Sequence, residues 1–341
     1  MKTAGEPAEL NKPVNLARRR HLAGITAAGL MSWVHRGFAA SSADRFPVPD
    51  DAGTIAVEGG RIWYRINGRR HFANGRAPLL VLHGGPGASH HYLLPLLDLA
   101  DDRPVIFYDQ LDSGNADRPG REENWTVQRV VGEIHAIRNA LGLDRLFTLG
   151  SSCGATWCAE YAMDNPRGLL GSVLGSPFLS AKRWMADAKA LRSALPENVR
   201  TALSVHEAAG TTDSDAYHEA DMVWNRRHVC RLDPFPDYVL AAFEQFNYDL
   251  YNHMWGPSES LVTGTLKDYE AEPRLGLIES PVLYTCGEHD EATPASTAAF
   301  TAATPGAVMQ TFAHASHMPH AETRGLYVTA LRAFFADNET A

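Results

Sequence analysis

Cysteine is scarce, with four residues in a chain of 341. Cys153 and Cys158 fall in one expected helix at a spacing that suits a bridge poorly. Cys230 and Cys286 can pair only if the fold brings them together, so buried free thiols are the default expectation. A basic face is also missing. The net charge of −9 is spread along the chain and no Lys/Arg-rich stripe is interleaved with aromatics, which argues against nucleic acid as a partner. No apolar run is long enough to span a membrane, and there is no internal repeat or low-complexity tract. Metal chemistry lacks its usual signs, because neither H-E-x-x-H nor a cysteine ligand set occurs. His314, His317 and His320 stand three apart and would share a face only on a continuous helix, which Pro319 breaks. What is present is ordinary for a folded soluble protein: 45% hydrophobic and 21% charged residues, at a length suited to one large domain or a domain with an insertion.

The N-terminus differs in kind from the rest. Arg18, Arg19 and Arg20 precede a mildly apolar run from Leu22 to Val34, and small residues follow to Ala43. That is the order of regions in an export signal, and consecutive arginines before a weakly hydrophobic run resemble a twin-arginine signal. Residues 1–43 are therefore expected to direct export to the periplasm or exterior. The alternative is a disordered or surface-helical extension of a cytoplasmic protein.

From there the pattern alternates. "TIAVEGGRIWYRING" reads as a hairpin turning at Gly59-Gly60, and "APLLVLHGGPG" as a strand entering a glycine loop. "PVIFYDQ" is a further strand, and "TVQRVVGEIHAIRNALGL" has helical spacing and stops at Gly142. "RLFTLG", "GLLGSVLGSP", "PVLYTCG" and "AVMQTFA" complete the strands. Such alternation predicts an α/β fold with a mostly parallel sheet covered on both faces. Between 180 and 272 the chain turns helical, which predicts an inserted cap separating two core segments, 44–179 and 273–341.

"TLGSSCGATW" sets three candidate nucleophiles side by side: Ser151, Ser152 and Cys153. Gly150 and Gly154 bracket Ser152 as G-x-S-x-G, which forms a nucleophile elbow when it joins a buried strand to a helix. Serine needs a base to take its proton and an acid to orient the base, and in this arrangement both come later in the chain. "CGEHDEATP" places Asp290 after one strand, and "HASHMPHAE" places His317 after the next. "HGGPG" ahead of the elbow offers the backbone N–H of Gly85, and the residue after the nucleophile offers that of Cys153, as donors to an oxyanion. Taken singly, Asp290 could equally be a turn or capping carboxylate, and His317 a solvated loop histidine.

Read in order, "HGGPG", "YDQ", "GSSCG", "RHVCR", "YNHMWGPSE", "TGTLKDYE", "GEHDEATP" and "SHMPHAE" resemble the proline iminopeptidase family of α/β-hydrolases. Within it the likeness is to the tricorn-interacting aminopeptidases and the L-amino acid amidases, from about Thr54 to the C-terminus. The resemblance implies an α/β-hydrolase fold, a triad of Ser152, Asp290 and His317, and hydrolysis of the amide after a free N-terminal residue, proline often favoured. It implies no cofactor, peptides or amino-acid amides as partners, and two carboxylates for the substrate amine at Glu259 and Glu291. The sequence departs from the family at Asp112, at Asn115-Ala116, at Cys153 and at Ala155, which sets Asp112 and Cys153 near the expected pocket. An esterase or lactonase of the same fold, and a silent hydrolase serving as a ligand receptor, are the competing readings.

A chain beginning at Asp44 should be soluble and as active as the full-length protein. Replacing Arg18 and Arg19 by lysine should block export in a host with the twin-arginine pathway; unchanged export, read by fractionation, would count against the signal.

Overall fold

The structure is a computed structural model that describes residues 46–339; the export segment expected at 1–43 lies outside them. Eight strands form one sheet: β1 Asp51–Val57, β2 Gly60–Asn67, β3 Leu79–Leu82, β4 Val105–Asp109, β5 Leu146–Ser151, β6 Leu169–Gly175, β7 Val282–Gly287 and β8 Val308–Phe312. Their spatial order is β1-β2-β4-β3-β5-β6-β7-β8. The β1–β2 hairpin and the β2–β4 pair are antiparallel, and every pairing from β4 through β3 to β8 is parallel. The mostly parallel sheet expected from the alternating pattern is the one that forms.

The central strands are buried along their whole length, as apolar runs covered on both faces must be. Period-two alternation divides them between two cores. Leu80, Leu82, Ile106 and Leu174 face one way, against Ile134 and Ile137 of α1 (Val127–Leu141) and Trp157 and Tyr161 of α2 (Cys153–Met163). Leu79, Val81, Phe107 and Val173 face the other. There they meet Leu93, Leu96 and Leu99 of a 3₁₀ segment over His90–Asp101, and Leu331 and Phe335 of the C-terminal helix Arg324–Asn338.

Between β6 and β7 the chain leaves the sheet through α3 (Ala181–Ser193), α4 (Glu197–Ala209), α5 (Asp215–Trp224), α6 (Asp237–Glu244) and α7 (Tyr248–Met254). The starts of α3, α5 and α7 are capped by Ser180, Ser214 and Asn247, whose side chains accept N–H groups of the first turn. A π-helical turn at Asn225–Val229 extends α5. Three helices follow β7: α8 (Pro294–Ala303), before β8, and the short α9 (Pro319–Glu322), which leads into α10 (Arg324–Asn338). Among the described residues no helix is long and apolar enough to cross a membrane. All four cysteines are free and buried, so Cys230 and Cys286 do not pair.

The tightest packing lies where β5 turns into α2. A Cβ on Gly150 would stand 2.0 Å from the carbonyl oxygen of Gly154, and one on Gly154 would stand 2.4 Å from that of Leu82. Backbone cannot yield as a flexible side chain can. Gly150→Ala should therefore cost at least ~3 kcal/mol and lower the midpoint of thermal or urea unfolding, whereas Gly325→Ala, which meets nothing within 4 Å, should leave it nearly unchanged.

Candidate active site

The chemistry-bearing residues gather at the carboxyl ends of the parallel strands, where open α/β sheets present their ligand crevice. Ser152 follows β5 directly, at φ 60° and ψ −125°. A non-glycine residue holds that left-handed conformation only when its surroundings enforce it. Its N–H donates to the Gly175 carbonyl and its own carbonyl accepts from Ala155 N–H, both at 2.9 Å. The turn thereby lifts the hydroxyl out of the sheet and sets the Cys153 amide at the head of α2. The Cys153 thiol is fully buried and its pKa is pushed well up, by burial first and then by Glu259 and Glu291. It is no nucleophile in this setting.

Asp290 follows β7 and His317 follows β8. The Nδ1–H of His317 donates to Asp290 Oδ1 at 2.7 Å. Asp290 Oδ1 also accepts Ala292 N–H at 2.8 Å, while Oδ2 accepts Gly287 N–H at 3.2 Å and the hydroxyl of Ser176 at 2.7 Å. The same Ser176 hydroxyl lies 3.0 Å from the His317 carbonyl, the longer arm of a shared proton. The bond at Nδ1 fixes the ring's tautomer and leaves Nε2, which is buried and has no hydrogen-bond partner among the described residues. Trp184 meets the ring edge-on at 5.9 Å.

The glycine loop is held by buried imidazoles. His83 Nε2 accepts Gln110 N–H at 3.1 Å, so its proton sits on Nδ1 and is donated to the Gly84 carbonyl at 2.9 Å. Burial lowers the pKa of His83 and keeps it neutral for this role. Gly84 N–H is committed to the Tyr92 hydroxyl at 2.7 Å. In a planar trans peptide the Gly85 N–H points opposite to the fixed Gly84 carbonyl. Neither it nor the Cys153 N–H has an acceptor among the described residues. Gly84 lies directly against the nucleophile, since a Cβ there would be 2.7 Å from Ser152 Cβ.

The inserted helices complete the site. Glu291 is 2% exposed, and its Oε2 accepts Trp224 Nε1–H from the end of α5 at 2.7 Å. Its Oε1 has no hydrogen-bond partner and lies 3.8 Å from His317 Nδ1. Glu259, on the turn after α7, is bonded to Tyr251, and its backbone carbonyl accepts Trp184 Nε1–H at 2.9 Å. Burial raises the pKa of both glutamates; Glu291 is raised well above the usual carboxylate range, with Glu259 adding to the effect. Glu259 and Glu291 lie close enough for their charges to act on each other and on His317.

The carboxylate of Asp112 turns away into its own loop, accepting Gly120 N–H at 2.7 Å and Trp125 Nε1–H at 2.8 Å. Only its backbone carbonyl reaches the insertion, through Asn247 Nδ2 at 2.8 Å. The three histidines separate: His314 is an exposed turn residue, while His320 is buried and bonded to the Tyr92 carbonyl at 3.1 Å, with a pKa pushed down to about 3 by burial. Ser176, Trp224, Trp184 and Tyr92 belong to the site without any motif marking them. Only Ser176 carried a readable sign, its place just past a central strand.

A crevice of this kind at the carboxyl ends of the parallel strands of an eight-stranded sheet is that of an α/β-hydrolase. Residues 77–323 match the family described as alpha/beta hydrolase fold. The chain belongs, within that class, to the proline iminopeptidase family. It is 40% identical to the proline iminopeptidase of Heyndrickxia coagulans over 283 residues, which is 83% of this chain and 97% of that one. The crystal structure of the Mycobacterium smegmatis proline iminopeptidase superposes with a TM-score of 0.78 at 35% identity, covering 85% of this chain and 99% of that chain. The structure of VinJ superposes at 0.82, also with 35% identity, covering 85% and 100%.

Ser152→Ala should lower kcat by several orders of magnitude, on the order of 10⁶, while Cys153→Ser keeps most activity; the reverse result would move the nucleophile to Cys153. Ser176→Ala removes one of the charge-assisted bonds on Asp290, worth ~1.5–3 kcal/mol. It should lower kcat about 10- to 100-fold with little change in KM.

Proposed function

We propose that this protein is a serine aminopeptidase of the proline iminopeptidase type, releasing a free N-terminal residue, proline among the favoured ones, from peptides or amino-acid amides. The observation that carries the reading is the pairing of a serine–histidine–aspartate arrangement with two carboxylates, the buried Glu291 and the half-buried Glu259, whose charges act on each other and on His317. A hydrolase acting on neutral esters has no use for two anions that cost free energy to bury. An α-ammonium neutralises them and makes charge-assisted hydrogen bonds to both.

A Ser-His-Asp arrangement supports the following chemistry. Ser152 Oγ attacks the carbonyl carbon of the first residue as His317 Nε2 takes the hydroxyl proton. Asp290 holds the ring and stabilises the imidazolium. The N–H groups of Gly85 and Cys153 receive the oxyanion. The tetrahedral intermediate collapses, the C–N bond breaks, and the leaving amine takes the proton from His317. Water then enters, gives a proton to His317 Nε2 and attacks the acyl carbon; the bond to Ser152 Oγ breaks, and Oγ takes that proton back as the free amino acid leaves. The carboxylates set the distance between the amine and the scissile carbonyl, so one residue fits and a blocked N-terminus does not.

On a panel of aminoacyl p-nitroanilides, free substrates should be cleaved and their N-acetylated counterparts should not. Losing one partner of a desolvated charge pair costs ~2–5 kcal/mol. Glu259→Ala should lose that much of kcat/KM on free aminoacyl p-nitroanilides yet keep most of its rate on p-nitrophenyl acetate. Equal rates on blocked and free substrates would return the protein to the esterases.

A further inference from the structure

The catalytic histidine sits among anions. Asp290 Oδ1 lies 2.7 Å from His317 Nδ1 and Glu291 Oε1 lies 3.8 Å from it, and the charge of Glu259 also acts on the ring. The two nearest carboxylates are not alike. Each oxygen of Asp290 is engaged by at least two donors. Glu291 has one oxygen on Trp224, and the other is buried without a donor. An orphaned carboxylate oxygen in a dry site is costly, and the nearest group that can compensate it is the imidazole ring itself. The other ionisable groups nearby do not change the balance. Asp221 and Tyr251 face Glu259 and raise no positive charge; His320, packed on the far side, is held neutral by burial; and the His228 carbonyl accepts His317 N–H at 3.1 Å.

We propose that Glu291 is shared between the base and the substrate: in the empty site its free oxygen holds His317 as imidazolium, and the substrate's α-ammonium takes that oxygen over and releases the base. The proton that leaves is the one on Nε2, which passes to solvent, while Nδ1–H stays on Asp290. One positive charge enters the cluster and one leaves, so the exchange balances. The amine would then act on the rate of acylation as well as on binding, and a ligand without an amine would meet a base still carrying its proton. The titrations of the two partners compete for one proton: burial, with Glu259 and Asp290 adding, raises Glu291, and the imidazolium beside it lowers it; the proton is placed on the ring because Asp290 Oδ1 lies 2.7 Å from Nδ1 while Glu291 Oε1 has no hydrogen-bond partner. Burial alone would lower the pKa of His317, but Asp290, Glu291 and Glu259 outweigh burial and raise it to about 9. This inference rests on the amine-binding reading above.

The test compares pH–rate profiles of the intact enzyme for two substrates. The first is p-nitrophenyl acetate, which has no amine, followed as kcat/KM with the Ser152→Ala rate subtracted. The second is prolyl p-nitroanilide, followed as kcat, which reports the complex in which the amine is docked. The ester's acid limb should lie about two pH units above that of the anilide, leaving the ester about 100-fold below its alkaline plateau at pH 7. Glu291→Gln keeps the side chain's shape and removes its charge. It should move the ester limb down by about one unit and raise the ester rate at pH 7 about tenfold, while it slows the anilide. A gain on one substrate with a loss on the other is not what a merely structural residue produces. Coincident limbs, or no gain on the ester in Glu291→Gln, would overturn the shared role of Glu291 even if N-acetylated anilides are still refused. Cleavage of those blocked anilides at the free rate would instead overturn amine recognition itself.

Discussion

A buried carboxylate must have its acceptors filled, and in this protein that requirement at Asp290 assembles the catalytic end of the sheet. Its four donors come from three places: Ser176 beyond β6, Gly287 and Ala292 around the end of β7, and His317 beyond β8. Losing any one would leave part of a charge unsolvated in a site that water does not reach. A second buried anion does the same on the other side of the elbow. Asp109, at the end of β4, accepts both the backbone N–H and the ring N–H of His90 and the N–H of Asn115. Burial would raise its pKa, but the His90 interactions outweigh that and keep it ionised. The start of the 3₁₀ segment and the loop of residues 110–117 are pinned to each other through it, and the glycine loop is tied to the same loop by His83 and Gln110. Ser152 sits between these two fixed ends, so a strained backbone at φ 60° persists because its neighbours leave no room to relax.

The inserted helices add polar and aromatic groups in specific places more than they add bulk. Trp224 reaches Glu291, Trp184 reaches both the carbonyl of Glu259 and the edge of His317, and the π-turn after α5 offers the His228 carbonyl to His317. Its ring in turn bonds the His289 carbonyl at 2.9 Å, beside Asp290. A π-turn widens the helix by one residue and is found where a side chain or carbonyl must be re-aimed. Here it aims the insertion at the two loops that carry the acid and the base.

These layers of the site were unequally legible. Ser152 and Asp290 stand just beyond apolar runs that form fully buried strands, and His317 beyond an edge strand of which only Phe312 is buried; turn residues bracket each of them, so period and punctuation locate them before any fold is known. Glu259 and Glu291 carry no such mark; only the resemblance of "GPSE" and "GEHDEATP" to a family singled them out. Trp224, Trp184 and Tyr92 were invisible, because nothing local distinguishes a tryptophan that will meet a carboxylate from one that fills a core. Their roles come into being when the insertion folds back, a long-range event with no period. The segment at 90–101 is hard for a different reason: it is 3₁₀ with Pro95 inside it, so its apolar residues keep no 3.6-residue rhythm. Asp112 misleads because it departs from the family beside the pocket, yet its carboxylate is spent on Trp125 and Gly120.

Recognition and catalysis in such a pocket are coupled by one electrostatic condition. A site that reads an ammonium needs anions in a low-dielectric place, for in water the attraction would be about 1 kcal/mol at 4 Å. A serine hydrolase needs a neutral imidazole, and anions close by favour the charged ring. The two needs conflict as long as the pocket is empty, and the proximity of Glu291 to His317 means that this fold has not separated them by distance. A cation that belongs to the substrate resolves the conflict only while it is bound, and only if it sits where the extra negative charge is. The placement of Glu291 next to Asp290 in sequence makes that geometry hard to avoid: the acid that orients the ring and the acid proposed to read the amine leave the same strand end one residue apart. Selectivity for a free N-terminus then follows from the charge balance of the site as much as from its shape.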